Sequence, residues 1–137
     1  MSRTLSHVAS RKPMRQETLS AAATLTEGQS NTTFWLDAAA GKTITLPALK
    51  AGLYFKFVVA DAFATDNWII DSAEGDNING ILVVNGASVP ADAEDQINFV
   101  ASAESVGDYV EFECNGTYWL VSGIGNSAGS ITATDPS

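Results

Sequence analysis

The sequence predicts a single all-β domain, an antiparallel β-sandwich or barrel of jelly-roll type with about eight short strands, preceded by an extended arm. Three observations carry this. Short apolar-rich runs alternate with clusters of Gly, Asn, Asp and Ser from residue 32 onward. No segment shows the apolar period of a helix. An Asn-Gly pair, Asn115-Gly116, stands between two alternating runs, the signature of a tight β-hairpin.

The runs cover residues 33–36, 42–46, 53–59, 67–70, 78–84, 96–100, 108–114 and 117–121. The third is the strongest, with Leu53, Phe55, Phe57 and Val59 on one face. Pro47 closes the second, and Gly80 interrupts the fifth where a bulge would fit. Residues 18–25 form a transition that could hold a first strand. Residues 87–95 have room for one short turn, limited by Pro90, after a second tight turn at Asn85-Gly86. A two-residue turn at Asn115-Gly116 would set Phe112 opposite Trp119 and Val110 opposite Val121, all four facing the core. Glu111, Glu113, Tyr118 and Leu120 would then face solvent or an interface. The chain divides into a basic arm (1–20), a β domain (21–123) and a polar C-terminal tail (124–137).

Charge is unevenly placed. The net charge is −9, yet Arg3, Arg11, Lys12 and Arg15 fall in the first 15 positions, where there is no acid. Lys42, Lys50 and Lys56 stand against all 16 acids in the rest. An acidic body repels phosphates, which excludes nucleic acid as the partner of the folded part. No apolar stretch is long enough for a membrane-spanning helix, and no apolar segment follows the basic N-terminus as in a secretory signal. Synthesis in a cytoplasm is expected. Cys114 is alone, so an intramolecular disulfide is excluded, and it reads as a small buried hydrophobe.

Catalytic chemistry finds little footing. His7 is the one histidine and lies in the arm, so no Ser-His-Asp or Cys-His set can be built on the β frame. Phosphate-loop, dinucleotide and zinc spacings are absent. The reading is a non-enzyme without cofactor or metal. Asp71, Glu74 and Asp76 are the only candidate ion ligands, and they miss the EF-hand spacing, so a solvated loop is the simpler account. Two N-glycosylation patterns, at Asn31 and Asn115, are ascribed to chance. Trp35, Tyr54, Phe55, Phe57, Trp68, Phe99, Phe112 and Trp119 could form a stacking platform, but their alternation with polar residues assigns most of them to the core. Tyr54, Tyr109 and Tyr118 fall opposite the core positions and are the candidate interface aromatics.

Four stretches carry a resemblance: GKTITLP at 41–47, AGLYFKFVV at 51–59, ILVVNG at 81–86 and GDYVEFECNGTYWLVSG at 107–123. Together they resemble β-rich virion proteins of tailed bacteriophages, most closely capsid decoration (cement) and head-fibre proteins, over roughly residues 24–123. The motifs are strand and turn patterns rather than catalytic ones. The resemblance implies a structural protein at the capsid surface of a virion, bound to the major capsid protein and bridging its subunits. It also implies a homotrimer, with the arm (Arg3, Arg11, Lys12, Arg15) reaching onto the lattice or a sister subunit. The alternative it leaves is a receptor- or glycan-binding fibre domain.

Overall fold

The computed structural model describes residues 14–136. Twelve strands and one 3-10 turn (Glu27–Gln29) make up the described fold, with no α-helix among these residues. The strands are β1 (Arg15–Leu19), β2 (Ala23–Thr24), β3 (Thr32–Leu36), β4 (Thr43–Leu46), β5 (Tyr54–Val59) and β6 (Trp68–Ser72). They continue with β7 (Ile78–Val84), β8 (Ala87–Glu94), β9 (Gln96–Phe99), β10 (Tyr109–Cys114), β11 (Trp119–Gly125) and β12 (Ile131–Thr134). They form a seven-stranded sheet, ordered β1-β3-β5-β10-β11-β7-β8, and a five-stranded sheet, ordered β12-β9-β6-β4-β2.

The all-β class holds, but both sheets are mixed rather than antiparallel. The first six strands alternate between the sheets, so the chain winds three times around one core. Odd strands stack in parallel in the larger sheet and even strands in the smaller. Parallel register places like on like. Leu19, Leu36 and Val59 lie level, Phe34 lies beside Phe57, and Ala23, Ile44 and Ile70 form a third row. The second half is built differently. β7–β8 and β10–β11 are antiparallel hairpins, and β9 pairs antiparallel with both β6 and β12. Alternating runs separated by turn clusters look the same whether a chain folds back beside itself or crosses to the other sheet, so pairing direction was invisible in the pattern.

The inner faces share one hydrophobic core. The larger sheet contributes five rings in a closed circuit: Phe34–Phe57 (5.4 Å, stacked), Phe57–Phe112 (5.8 Å, edge-on), Phe112–Trp119 (6.3 Å, edge-on), Phe55–Trp119 (5.9 Å) and Phe34–Phe55 (6.2 Å). Ile44, Leu46, Trp68, Ile70, Ile97 and Phe99 face them from the smaller sheet, all buried. Each such side chain withdrawn from water contributes roughly 1.5–3 kcal/mol before chain entropy is counted. Cys114 is among the buried residues, as expected.

The two Asn-Gly pairs exchange roles. At Asn85-Gly86 both residues have positive φ (52° and 78°) and Val84 pairs with Ala87, which is the two-residue hairpin turn. At Asn115-Gly116 only Gly116 has positive φ. The Asn115 side chain instead accepts the backbone N–H groups of Thr117 and Tyr118, and residues 115–118 form a four-residue loop. Cys114 therefore pairs with Trp119 and Phe112 with Val121, two residues away from the expected register. A slip of two preserves the side-chain face, so Val110, Phe112, Trp119 and Val121 are all buried as anticipated.

Three segments differ from expectation. Residues 87–95 hold an eight-residue strand, β8, rather than a short turn. It lies at the sheet edge, where Pro90 costs no ladder bond on its open side. Residues 15–19, assigned to the arm, form β1 at the opposite edge. Within the span read as a polar tail, β11 runs to Gly125, and β12 pairs with β9 and buries Ile131. The bulge expected at Gly80 is present, between the pairs Ile78–Glu94 and Gly80–Ala91.

Candidate functional site

A strand in a sheet packed on one side alternates buried and exposed side chains, and the exposed set is normally polar. The outer face of the larger sheet departs from that rule. The ladder registers lay three rows across it. The first, at the β1 N-terminal end, runs Tyr54, Glu113, Leu120, Asn79. The second runs Gln16, Thr33, Lys56, Glu111, Ser122, Ile81, Pro90. The third runs Thr18, Trp35, Val58, Tyr109, Ile124, Val83, Ser88.

The third row is apolar across five consecutive strands, with Val58 buried and Tyr109 half-buried among its exposed members. Trp35, Val83 and Ile124 are 37%, 41% and 49% exposed, and Val106 beside them is 66% exposed. Ile81 and Leu120 extend the apolar surface into the other rows, at 58% and 50%. Single exposed hydrophobes are ordinary, but a contiguous set on a rigid sheet marks an interaction surface. The Trp35 indole N–H donates to Gln16 Oε1 at 2.6 Å, which fixes the ring on the face. Lys56 Nζ lies 4.7 Å from the centre of the Tyr109 ring. A shallow groove of about 700 Å³ opens at the end of this row, lined by Val83, Val106, Tyr109 and Ile124 with Asn85 and Asn126. The carboxylate in its wall, Asp108, accepts the backbone N–H groups of Ser105 (2.9 Å) and Asn126 (3.0 Å). Both oxygens are thus tied to loops, and the groove offers contact area and backbone polarity rather than an acid–base pair.

Tyr54 and Tyr109 lie on this face, half-buried, and Tyr118 sits half-buried in the 115–118 loop. Burial, the Glu111 charge, a hydrogen bond from the Tyr54 hydroxyl to Glu111, and the Glu113 and Tyr109 side chains push the Tyr54 phenol up to about 12 from 10.0. The folded chain favours the neutral phenol, so the unfolded chain gives up this proton first. The stability linked to Tyr54 is therefore complete below pH 10.0 and is lost as the pH rises through about 12. Ultraviolet titration of the tyrosinates in wild type and Glu111→Gln checks this: the late-titrating tyrosine should move down in the variant.

Arg15 is the first residue of β1. Its guanidinium donates to the carbonyls of Gly28 (2.7 Å) and Ser30 (2.9 Å) and to Thr32 Oγ1 (3.2 Å), tying β1 to the adjoining loop. Arg3, Arg11 and Lys12, with His7, lie outside the described residues. The acidic loop also separates. Asp71 accepts from the Gln96 side chain and Glu74 from the Leu49 backbone N–H. Asp76 instead joins Asp95 and Asp135, their carboxylate oxygens within 4.8 Å of one another. The Asp135 and Asp95 charges raise the Asp76 pKa, and among the described residues this trio is a set of oxygen donors that could hold a hard cation. Sequence reasoning did not single out Trp35, Ile81, Val83 and Ile124 for the face. The available signal lay in residues 78–84, where Leu82 and Val84 are buried while Ile81 and Val83 point out: a strand apolar on both sides of a one-sided sheet.

No protein-family model and no curated protein sequence matches the chain.

Proposed function

We propose that this chain is a structural virion protein of the capsid-decoration type, which lays the outer face of its larger sheet on the major capsid protein and bridges adjacent subunits. The observation that carries the reading is the apolar row on the outer face, in which Trp35, Ile124 and Val83 stand exposed on either side of the buried Val58 and half-buried Tyr109. Covering it would remove apolar area from water without any rearrangement of the sheet, which suits a clamp. The resemblance of the strand motifs to tailed-phage virion proteins supplies the identity of the surface covered. The acidic body suits a particle that must stay dispersed, and a homotrimer would multiply weak contacts through avidity.

The purified chain is expected to bind protein-only capsids saturably and to raise their resistance to heat. Ile124→Thr combined with Val83→Thr, which keeps β-branched side chains in both strands, should leave the thermal transition of the free chain nearly unchanged. The double variant should weaken capsid binding by about thirty-fold or more, the effect of losing one central anchor of about 2 kcal/mol. Full binding by the double variant would move the contact off this face. Binding to host cells without capsid binding would replace decoration by the receptor-binding fibre reading.

A further inference from the structure

The outer face of the larger sheet carries opposite charges near its middle. Lys56 and Glu111 stand directly across from each other in the β5–β10 ladder, and Tyr54 and Glu113 do so one row away. Lys56 and Glu111 nevertheless form no ion pair with each other. Lys56 Nζ leans over the Tyr109 ring, and Glu111 takes the Tyr54 hydroxyl. Exposed Trp35 flanks the charges on the β3 side, and exposed Ile124, Ile81 and Val83 flank them on the β11 and β7 side. We propose that this face pairs with a second copy of the chain, about a two-fold axis that runs along the strands between β5 and β10. The proposal stands whether or not the face also meets a capsid.

Symmetry and charge together select that axis. A two-fold contact uses the same patch on both copies, so each side chain must suit its symmetry mate. An axis along β10 sets Glu111 on Glu111 and Glu113 on Glu113. An axis along β5 sets Lys56 on Lys56, and so does an axis across the strands at the second row. An axis between β10 and β11 lays Ser122 on Glu111 and Leu120 on Glu113, which buries carboxylates without a cation. The axis between β5 and β10 instead lays Lys56 of each copy on Glu111 of the other, twice over by symmetry. The same rotation carries β3 onto β11 and β1 onto β7 and keeps each row on itself. Tyr54 then covers Glu113, Trp35 covers Ile124, and Val58 covers Tyr109. Packed sheets cross at about 30°, which leaves the pairs on β5 and β10 in place and slides the outermost strands by about one row. Six strands at ~4.8 Å and three rows at ~6.8 Å span about 600 Å² per copy, or about 1,200 Å² in all. That is the lower end of specific interfaces, so the pair is weak and reversible. The free chain is monomeric when dilute and paired when concentrated. Pairing keeps Trp35 and Ile124 covered until a tighter partner takes the place of the second copy.

The test uses charge reversal in the full chain. Sedimentation gives the mass from about 1 μM to about 1 mM, a range that brackets a contact of this size. Acrylamide quenching gives a second readout, because Trp35 is exposed while Trp68 and Trp119 are fully buried. Wild type should double its mass and lose quenching as concentration rises. Lys56→Glu alone and Glu111→Lys alone should each weaken pairing by about tenfold or more, since like charges then face each other across the axis. An equimolar mixture of the two variants should pair again, because each substituted position then meets an opposite charge on the other chain. The thermal transition of each dilute variant reports that it is folded, and any association through other surfaces is common to all samples. Wild type that keeps one mass throughout would overturn the proposal, as would single variants that pair like wild type. Pairing recovered by Lys56→Glu/Glu111→Lys on one chain but not by the mixture would also overturn it, since the charges would then act within a chain and not between copies.

Discussion

Gly80→Ala is expected to destabilise the chain by about 4 kcal/mol or more, a large part of the 5–15 kcal/mol typical of a domain. Gly80 has φ 151° in β7, directly across from Val121 of β11, and an alanine Cβ there would overlap the Val121 carbonyl oxygen. Neither strand can step aside. β11 is held by β10 on its other edge, and β7 by β8. On the β8 side the ladder shifts by one residue, where Ala93 takes a positive φ of 56° and its N–H bonds the Asn79 side chain at 2.9 Å. The glycine lets the backbones close at the bulge, and a methyl group would force either the β7–β11 or the β7–β8 ladder open. Gly86→Ala is the control. Gly86 also has a positive φ, 78°, but open space around its Cβ position, so only the backbone penalty of about 1 kcal/mol applies. Urea midpoints of the two variants, converted with a common slope, provide the comparison. Equal losses would show that steric overlap at Val121 is not what the glycine avoids.

Gly80 was readable in the sequence because it breaks an otherwise continuous apolar run. Eight strands were readable for a related reason, since β3, β4, β5, β6, β7, β9, β10 and β11 all pair on both sides. The other four, β1, β2, β8 and β12, of which only β2 fell within the possible first strand at 18–25, are the four edges of the two sheets. An edge strand pairs on one side and buries little. β1 buries only Leu19 and β8 only Ala91, so selection for alternating hydrophobicity is weak there, and Pro90 is tolerated. The same physics hid the interaction face. A residue such as Val83 reads as core in a pattern, because sequence alternation reports apolarity and not which side of a sheet is covered, and Ile124 fell in the span read as a polar tail. Ligand-set reasoning failed for a third cause. Asp95 and Asp135 are remote in sequence from Asp76, and only the packing of the β6–β7 loop against the C-terminal segment brings them together.

Phe57→Ala is expected to cost about 3–5 kcal/mol, as for other large aromatic truncations in cores. Phe57 is fully buried, stacks on Phe34 and meets Phe112 edge-on, and occupies the middle of β5. That strand is the seam of the larger sheet: it pairs in parallel with β3 of the wound half and antiparallel with β10 of the hairpin half. A cavity there removes contacts from both halves, so they should lose stability together. Amide exchange in β4, which belongs to the wound half, and in β11, which belongs to the hairpin half, should therefore accelerate by the same factor. Leu120→Ala, on the outer face and half exposed, should change stability by less than about 0.5 kcal/mol. If β4 kept its protection in Phe57→Ala while β11 lost it, the two halves would be separate cooperative units, and the ring circuit would not be what couples them. If they fall together, the inner face sets stability as one unit and leaves the outer face free to change, which is the condition under which outer-face substitutions report on binding alone.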